Sequence, residues 1–413
     1  DFGNTKPAAL QCGYAPGRTT YGEQFHRAAY ALAAITGNIG VVGGNTGCSN
    51  GATGRAGVKG LPEGDDPIDS KISAPELADM LARGKSGGYP ADIKLIYSCG
   101  GDLFNQAPNA NKMAQSLDGV ECIVVQDHFL TPTARCADIV LPATTFWERN
   151  DVHVPWAGAL HYAIYMKQAI PPMYECRNDM DIFTDLAQRV GINGYNLHTE
   201  EEWLRDFTKD VVNDFDAFKE KGVARFPKPE DAVAFAKQIS DPKNHKFSTP
   251  SGKIEIYSST IAAKPDFYGL GEIPPTPTWI PPVDPETDPD AAYPLALMSA
   301  KSRARTHSIH GNQEKLARVD PENLWINSAD AAARGIADGQ LVRVFNSQGV
   351  SVLPARVDDD IAPGVVGMKD GAWYTPGPDG TDTVGCANIL SVDRPSPAGA
   401  TTYNTNFVEV EPA

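Results

Sequence analysis

The stretch from Ala292 to Pro412 constrains the fold more than any other part of this chain. It opens with AYPLALMSAKSRARTHSIHGN and closes with YNTNFVEVEP. Between those ends, LVRVF and VSVLPARV are short β-rich runs joined by NSQG, a hairpin signature. SADAAARGIADGQ predicts a short helix stopped by Gly335 and followed by a turn at Asp338-Gly339. Strands at this spacing read as a small barrel.

Upstream the pattern changes from short strands to alternating strands and helices. Apolar positions at Phe25, Ala28, Ala29, Leu32, Ala33 and Ile35 predict a helix over 19–36, ended by Gly37. A glycine-rich loop follows, GNIGVVGGNTGCSNGATGRAG. IKLIYSCGGD is an apolar strand leading into the turn Gly100-Gly101, ANKMAQSLDG is a helix, ECIVVQD is a second strand and ADIVLPA a third. That order implies a Rossmann-like parallel sheet with right-handed crossovers. Ligands of such sheets bind beyond the carboxyl ends of the strands, which places Gly100, Gly101, Asn105, Gln126 and Asp127 at one edge. There, amides at the helix start would meet phosphate oxygens. A carboxylate at Asp127 would accept the N1–H and N2–H donors of a guanine. A plain turn with a capping aspartate explains the same residues without a ligand. The sequence lacks GxGxxG, which disfavours a nicotinamide enzyme.

The segment VHVPWAGALHYAIYMKQAI reads as a polar aromatic loop, and STPSGKIEIYSS as a turn and strand. Helical, acidic sequence fills 199–237, with Trp203, Phe207, Phe215 and Phe218 as core candidates. A proline-rich connector precedes the barrel. The expected division is 1–60, the end of one α/β domain; 61–263, a dinucleotide-binding α/β domain; 264–292, a linker; and 293–413, the barrel.

Composition narrows the function classes. A net charge of −16 without a basic cluster argues against a nucleic-acid partner. No run of about 18 apolar residues is present to span a bilayer. Seven cysteines occur, none in a CxxC or CxxxC pair, so no local iron–sulfur or zinc motif lies within these residues. Within SAKSRARTHS, four cationic or imidazole side chains, Lys301, Arg303, Arg305 and His307, fall in ten residues. Such a loop suits a pyrophosphate and is expected to face an anion rather than to hold the fold. A run of cations on a solvated face is the plainer explanation.

These segments together resemble the molybdopterin oxidoreductases of the dimethyl sulfoxide (DMSO) reductase family. The resemblance rests on QDHFLTPTARCADIVLPATTFWER, SAKSRARTHS, STPSGKIEIYS, GYAPGRTTYGEQFHRAAYALAAITGNIGVVGGNTG and the late asparagines of ANILSVD and YNTNFVEVE. It covers nearly the whole chain. It implies that the tail is a double-psi β-barrel of the formate dehydrogenase/DMSO reductase type. It also implies a molybdenum bis(molybdopterin guanine dinucleotide) cofactor. The residues carried over to that cofactor are Arg18, Gly100, Gly101, Asn105, Gln126, Asp127, Asp138, Ser299, Lys301, Arg303, Arg305, Thr306, His307, Ser308, Asn388 and Asn406, with Thr131 and Thr133 as further hydroxyl donors. Trp156, His161, Tyr162 and Tyr165 are expected to line a substrate funnel.

Within the family, WAGALHYAIYMKQAIPPMYECRNDMDIF is most similar to catalytic subunits of the membrane-linked anaerobic branch. The expected activity is reduction of a sulfoxide or N-oxide in anaerobic respiration. Polysulfide, thiosulfate, arsenate, selenate, formate and a noncatalytic cofactor-binding module are the alternatives. The family's [4Fe–4S] cysteines and molybdenum ligand are absent from the sequence, which leads to the expectation of a C-terminal half whose catalytic ligand lies elsewhere. An iron–sulfur electron-transfer subunit, a membrane-anchor subunit and a periplasmic or membrane-associated location follow from the resemblance alone.

Overall fold

A computed structural model describes residues 1–45, 57–155, 161–227, 233–282 and 292–413. The helix expected near the N-terminus is α1 (Gly22–Ile35), which buries its small residues, Ala29 and Ala33, and leaves Phe25 and Ile35 exposed. Gly37 ends it in the left-handed region, at φ 70°. α2 (Leu77–Arg83) is entered through a capping box between Ser73 and Glu76.

The predicted parallel sheet follows in order: β1 (Leu95–Cys99), α3 (Leu103–Gln106), α4 (Ala110–Ser116), β2 (Cys122–Asp127), α5 (Pro132–Arg135) and β3 (Ile139–Pro142). The strands lie in the order β1-β2-β3, with Leu95 beside Cys122 and Val124 beside Ile139. The central strand carries the apolar run, so Val125 is fully buried.

The next segment corrects the expectation of a loop. β4 (Asp151–His153) and β5 (Tyr162–Met166) pair antiparallel. Along β5, buried Ala163 and Tyr165 alternate with exposed Ile164, a strand period that the mixed polar and aromatic composition masks. α6 (Asp179–Arg189), α7 (Glu200–Thr208) and α8 (Phe215–Lys221) follow, and β6 (Val223–Arg225) completes this second sheet beside β5. Leu204, Phe215 and Phe218 form a small core with Tyr165, while Trp203 stacks on Phe207 at its margin. After α9 (Ala236–Ser240), the strand expected within 248–258 does not form. The Glu255 carboxylate accepts from the amides of Ser251 and Ser259, curling the chain into α10 (Ser259–Ala263).

The barrel comprises β7 (Leu295–Ala300), α11 (Glu314–Val319), β8 (Leu324–Ile326), α12 (Ser328–Ala333), β9 (Leu341–Phe345), β10 (Val350–Val357), β11 (Val365–Lys369) and β12 (Asn406–Pro412). Its strands close in the order β10-β8-β11-β7-β12-β9. The NSQG hairpin pairs Val350 with Phe345 as predicted. Alternate residues of the strands, such as Val342, Val344, Val408 and Val410, point inward and are buried.

Sheet and barrel share one apolar core. Phe104 of α3 stacks on Tyr374 of the barrel at 4.7 Å, and Met113 and Val125 join Leu297, Leu353 and Ile389 in the same cluster. The sheet's carboxyl edge is therefore held in fixed relation to the barrel loops.

Candidate functional site

The turn after β1 is built differently from the phosphate cradle expected there. Gly100, at φ 64°, donates its amide to Gln126 O at 2.9 Å. The Asp102 carboxylate caps α3, accepting from Phe104 N at 3.2 Å and from the Thr133 hydroxyl at 2.7 Å. Thr133 Oγ1 in turn accepts from Leu103 N at 2.8 Å. The amides at the helix start are thus already satisfied by protein oxygens, and the phosphate-cradle expectation is corrected for these groups. Thr131 is likewise spent as the cap of α5. What this turn offers is acceptors: Asp102 Oδ2 and Asn105 Oδ1 are buried without a partner among the described residues. Burial pushes the Asp102 carboxyl above its usual range. Asn105 Nδ2 donates across the seam to Ala372 O at 2.7 Å.

At the end of β2, Gln126 is fully buried and both ends of its amide are engaged. Tyr97 donates to its Oε1 at 2.7 Å, and its Nε2 donates to Asp179 at 2.6 Å. Its role is to hold Asp179, the first residue of α6. Asp127 at this edge keeps a partly exposed carboxylate, with Oδ1 accepting from His128 N. Burial and the neighbouring Asp179 raise its carboxyl, against the pull of His128. Arg149 lies 3.6 Å from Asp179 and donates to Thr144 O, closing the edge beyond β3. Asp179 and Arg149 were not singled out in the sequence: the first starts a helix, and the second closes the motif QDHFLTPTARCADIVLPATTFWER without a signal of its own.

Asp138 does not join this edge. It begins β3, exposed, and its Oδ2 accepts from Ile123 N at 2.7 Å at the opposite, amino end of the sheet. A strand of four residues separates its two ends, so a residue capping the start cannot also reach the carboxyl crest. The two late asparagines lie on the seam. Asn388 Nδ2 donates to Phe104 O and Ala107 O at 3.1 and 2.9 Å. Asn406, 2% exposed, accepts from Val392 N and donates to Tyr403 O. Their amides tie the barrel to the sheet and to itself. Arg18 is exposed; its carbonyl accepts from Asn404 N, and its charge acts on Tyr403, which also bonds to Gln106 O at the end of α3.

Ser299 lies within β7 beside Met368; the cationic loop leaves the strand after Ala300 and turns at His307, φ 51°. Its four candidates divide. Arg305 is turned inward, its side chain 9% exposed, pairing with Glu322 and donating to Asp370 O at 2.8 and 3.2 Å. Three of its five N–H donors are taken by the protein, so it holds the loop as well as being a candidate for the cofactor. Lys301 and His307 converge on Asp370 Oδ2, His307 Nδ1 at 3.1 Å, with 2.9 Å between Lys301 Nζ and His307 Nδ1. The Arg303 side chain is exposed and has no acidic partner among the described residues, while its amide is held by Asp320. Thr306 bridges to Ile309 at the tip, and Trp373 Nε1 donates to Ser308 O at 2.8 Å. Arg135 of α5 lies 6.0 Å over the Trp373 ring, so the loop rests on a platform shared by both domains. Asp370 and Glu322 were not singled out in the sequence; the only signal is an acid in MKDG directly after an apolar strand.

Of the funnel candidates, Trp156 lies outside the described residues. Tyr165 is 4% exposed, edge-on to Phe215 and Phe218, and belongs to a core rather than a funnel. Tyr162 sits in β5 opposite Arg225, and His161 accepts from Phe226 N beside it.

Residues 2–189 match the family described as "Molybdopterin oxidoreductase", and residues 295–406 the family described as "Molydopterin dinucleotide binding domain". The chain is 35% identical to dimethyl sulfoxide reductase DmsA of Escherichia coli (strain K12), across 100% of its own length and 54% of that protein. The chain belongs to the molybdopterin oxidoreductase family. It is 34% identical to the dimethyl sulfoxide/trimethylamine N-oxide reductase of Cereibacter sphaeroides, over 93% of this chain and 52% of that one. It spans about half the length of the curated relatives it matches. Among solved structures, acetylene hydratase from Pelobacter acetylenicus superposes with a TM-score of 0.63 at 20% identity, over 82% of this chain and 46% of that chain, a likeness of fold.

The side chains at the seam suit a dinucleotide of this family in one specific sense. The sheet side supplies buried acceptors at Asp102 and Asn105 and a partly exposed one at Asp127, and the barrel side supplies Lys301, Arg303 and the orphan Asp370 Oδ1. Acceptors suit the N–H groups of a lactam-bearing ring, and cations suit its phosphates.

Proposed function

We propose that this chain is part of an oxidoreductase carrying a molybdenum bis(molybdopterin guanine dinucleotide) cofactor, which reduces a sulfoxide or N-oxide. The carrying observation is that the two segments matching the cofactor-binding families meet across one core, with Asn105 of the sheet donating to Ala372 of the barrel. When bound, the molybdenum centre supplies two-electron oxygen-atom transfer. This chain's own residues bind and orient. Asp127 accepts guanine N–H groups at the crest, and Lys301, Arg303 and His307 face the phosphates. Gln126, Thr133, Arg305, Asn388 and Asn406 hold those elements in place.

The two parallel strand pairs of the barrel, β7 with β11 and β8 with β10, support a double-psi arrangement. The reading keeps the division at 60, 263 and 292. A [4Fe–4S] cluster, an electron-transfer subunit, a membrane anchor and a periplasmic setting complete the reading. No helix among the described residues is long and apolar enough to cross a membrane.

The test is metal and nucleotide analysis of the full-length protein purified without oxygen. About one molybdenum and two guanine nucleotides per polypeptide are expected, with sulfoxide reduction driven by a reduced dye. A protein holding neither molybdenum nor guanine nucleotide sinks the reading.

A further inference from the structure

We propose that Asp370 is a ligand-recognition residue: its unpartnered Oδ1 accepts an N–H from a phosphorylated, lactam-bearing heterocycle whose phosphates meet Lys301 and Arg303. The inference rests on the dinucleotide reading above and deepens it.

Every other polar atom of Asp370 is fixed. Its amide donates to Ala300 O at 2.8 Å, and its carbonyl accepts from Nε and Nη2 of Arg305. Its Oδ2 receives Lys301 and His307. Only Oδ1 is left, buried and without a hydrogen bond among the described residues. A buried carboxylate oxygen with no donor costs free energy unless a partner reaches it. No side chain nearby is free to do so: Arg305 is engaged with Glu322, and Lys301 and His307 already occupy the other oxygen. The backbone forbids easy relief, because Gly371, at φ 83°, lies so close to His307 O that a Cβ there would sit 2.0 Å from it. The carboxylate is therefore held beneath the cationic loop with one acceptor presented. A fully ionised inorganic phosphate has no donor to offer that oxygen. A fused lactam ring with adjacent ring and amino N–H groups does, and both a pterin and a guanine have this chemistry.

The test uses the 413-residue chain and its Asp370→Asn variant. Binding of neopterin triphosphate is followed by pterin fluorescence, and GDP and inorganic tripolyphosphate are measured by calorimetry. The substitution removes a charged acceptor and at the same time frees Lys301 and His307 from their counter-charge. Affinity for the ring-bearing probe should fall about tenfold or more, as for a lost hydrogen bond to a charged group. Affinity for tripolyphosphate should hold or rise. A larger loss for neopterin triphosphate than for GDP identifies the pterin as the ring; the reverse identifies guanine. A parallel fall for all three probes, or no change for either ring, overturns the role of Asp370 and leaves the dinucleotide site standing. Failure of the unsubstituted chain to bind any of the three overturns the site, and the inference with it.

Discussion

Arg305→Ala should destabilise this chain severely, although Arg305 lies in a loop whose composition suggests surface charge. Its guanidinium is 9% exposed and pairs with Glu322, 20% exposed, while two further N–H groups hold Asp370 O. Burial pushes the Glu322 carboxyl up and Arg305 pulls it down. Truncation leaves that carboxylate without its cation and a buried carbonyl without donors. Losing one member of a buried pair costs about 3–5 kcal/mol. Glu322 can relax by taking a proton, so about 3 kcal/mol is the expected loss at neutral pH. Arg303→Ala, on the exposed side of the same loop, should cost under about 0.5 kcal/mol. The sign of the pH dependence follows from the raised carboxyl. Removing Arg305 raises Glu322 further, so the deficit is full above that folded-state value. It shrinks as pH falls through it toward the ordinary 4.5, where the group is protonated folded or unfolded. Urea unfolding of both variants from pH 4 to 7, compared at equal m-value, measures this. Equal stability of Arg305→Ala and Arg303→Ala at pH 7 would refute the inward placement of Arg305.

Asp127→Asn in the full-length protein should lower guanine nucleotide retention, whereas Asp138→Asn should leave it unchanged because that residue sits at the opposite end of the sheet; nucleotide content after gel filtration distinguishes them. Asn388→Ala should cost about 2 kcal/mol by leaving the carbonyls of Phe104 and Ala107 unpaired, read as a shift in urea midpoint. The Asp320 carboxyl is held at about 2: burial alone would raise it, but hydrogen bonds from Lys369, Ser302 and the Arg303 amide outweigh burial. Its folded value is depressed, so the stability it contributes is present above the ordinary 3.8 and disappears as pH falls toward 2. Asp320→Asn should cost about 3 kcal/mol at pH 7 by stranding Lys369, whose side chain is 4% exposed, and the gap to the unsubstituted chain should close in acid.

The parallel sheet and the barrel were legible because their signals are local. Apolar runs such as ECIVVQD and the NSQG turn specify strands from neighbouring residues alone. The strand at Tyr162–Met166 was hidden because its buried positions are alanine and tyrosine, which carry no strong alternation in hydropathy. The candidate site was legible as a set of segments but not as a set of side-chain directions. Arg303 and Arg305 are two residues apart, a spacing that in extended chain would put both on one side; a bend at Arg303-Ala304 sends one out and the other in, and nothing in SAKSRARTHS announces it. Glu322 and Asp370 decide it, and they lie 17 and 65 residues away. Asp102 shows the same limit: GGD reads equally as a phosphate turn or as a helix cap, and Thr133, 31 residues on, tips it to a cap.

That cap has a consequence for binding. An acid placed on the first turn of α3 satisfies the amides that would otherwise attract phosphate, and it adds negative charge there. In a chain of net charge −16, the sheet edge alone is then a poor anion site. The positive charge for a dinucleotide must come from across the seam, from Lys301 and Arg303, while the sheet contributes acceptors for ring N–H groups. The sheet holds ring acceptors without the cations, so a dinucleotide whose ring reaches Asp127 must span the seam to Lys301 and Arg303. The contacts that fix one against the other, Asn105 to Ala372, Asn388 to Phe104 and Ala107, and Phe104 stacked on Tyr374, therefore set the spacing between phosphate donors and ring acceptors. Loosening that seam should weaken a ring-bearing diphosphate far more than an inorganic one, because only the former must span it.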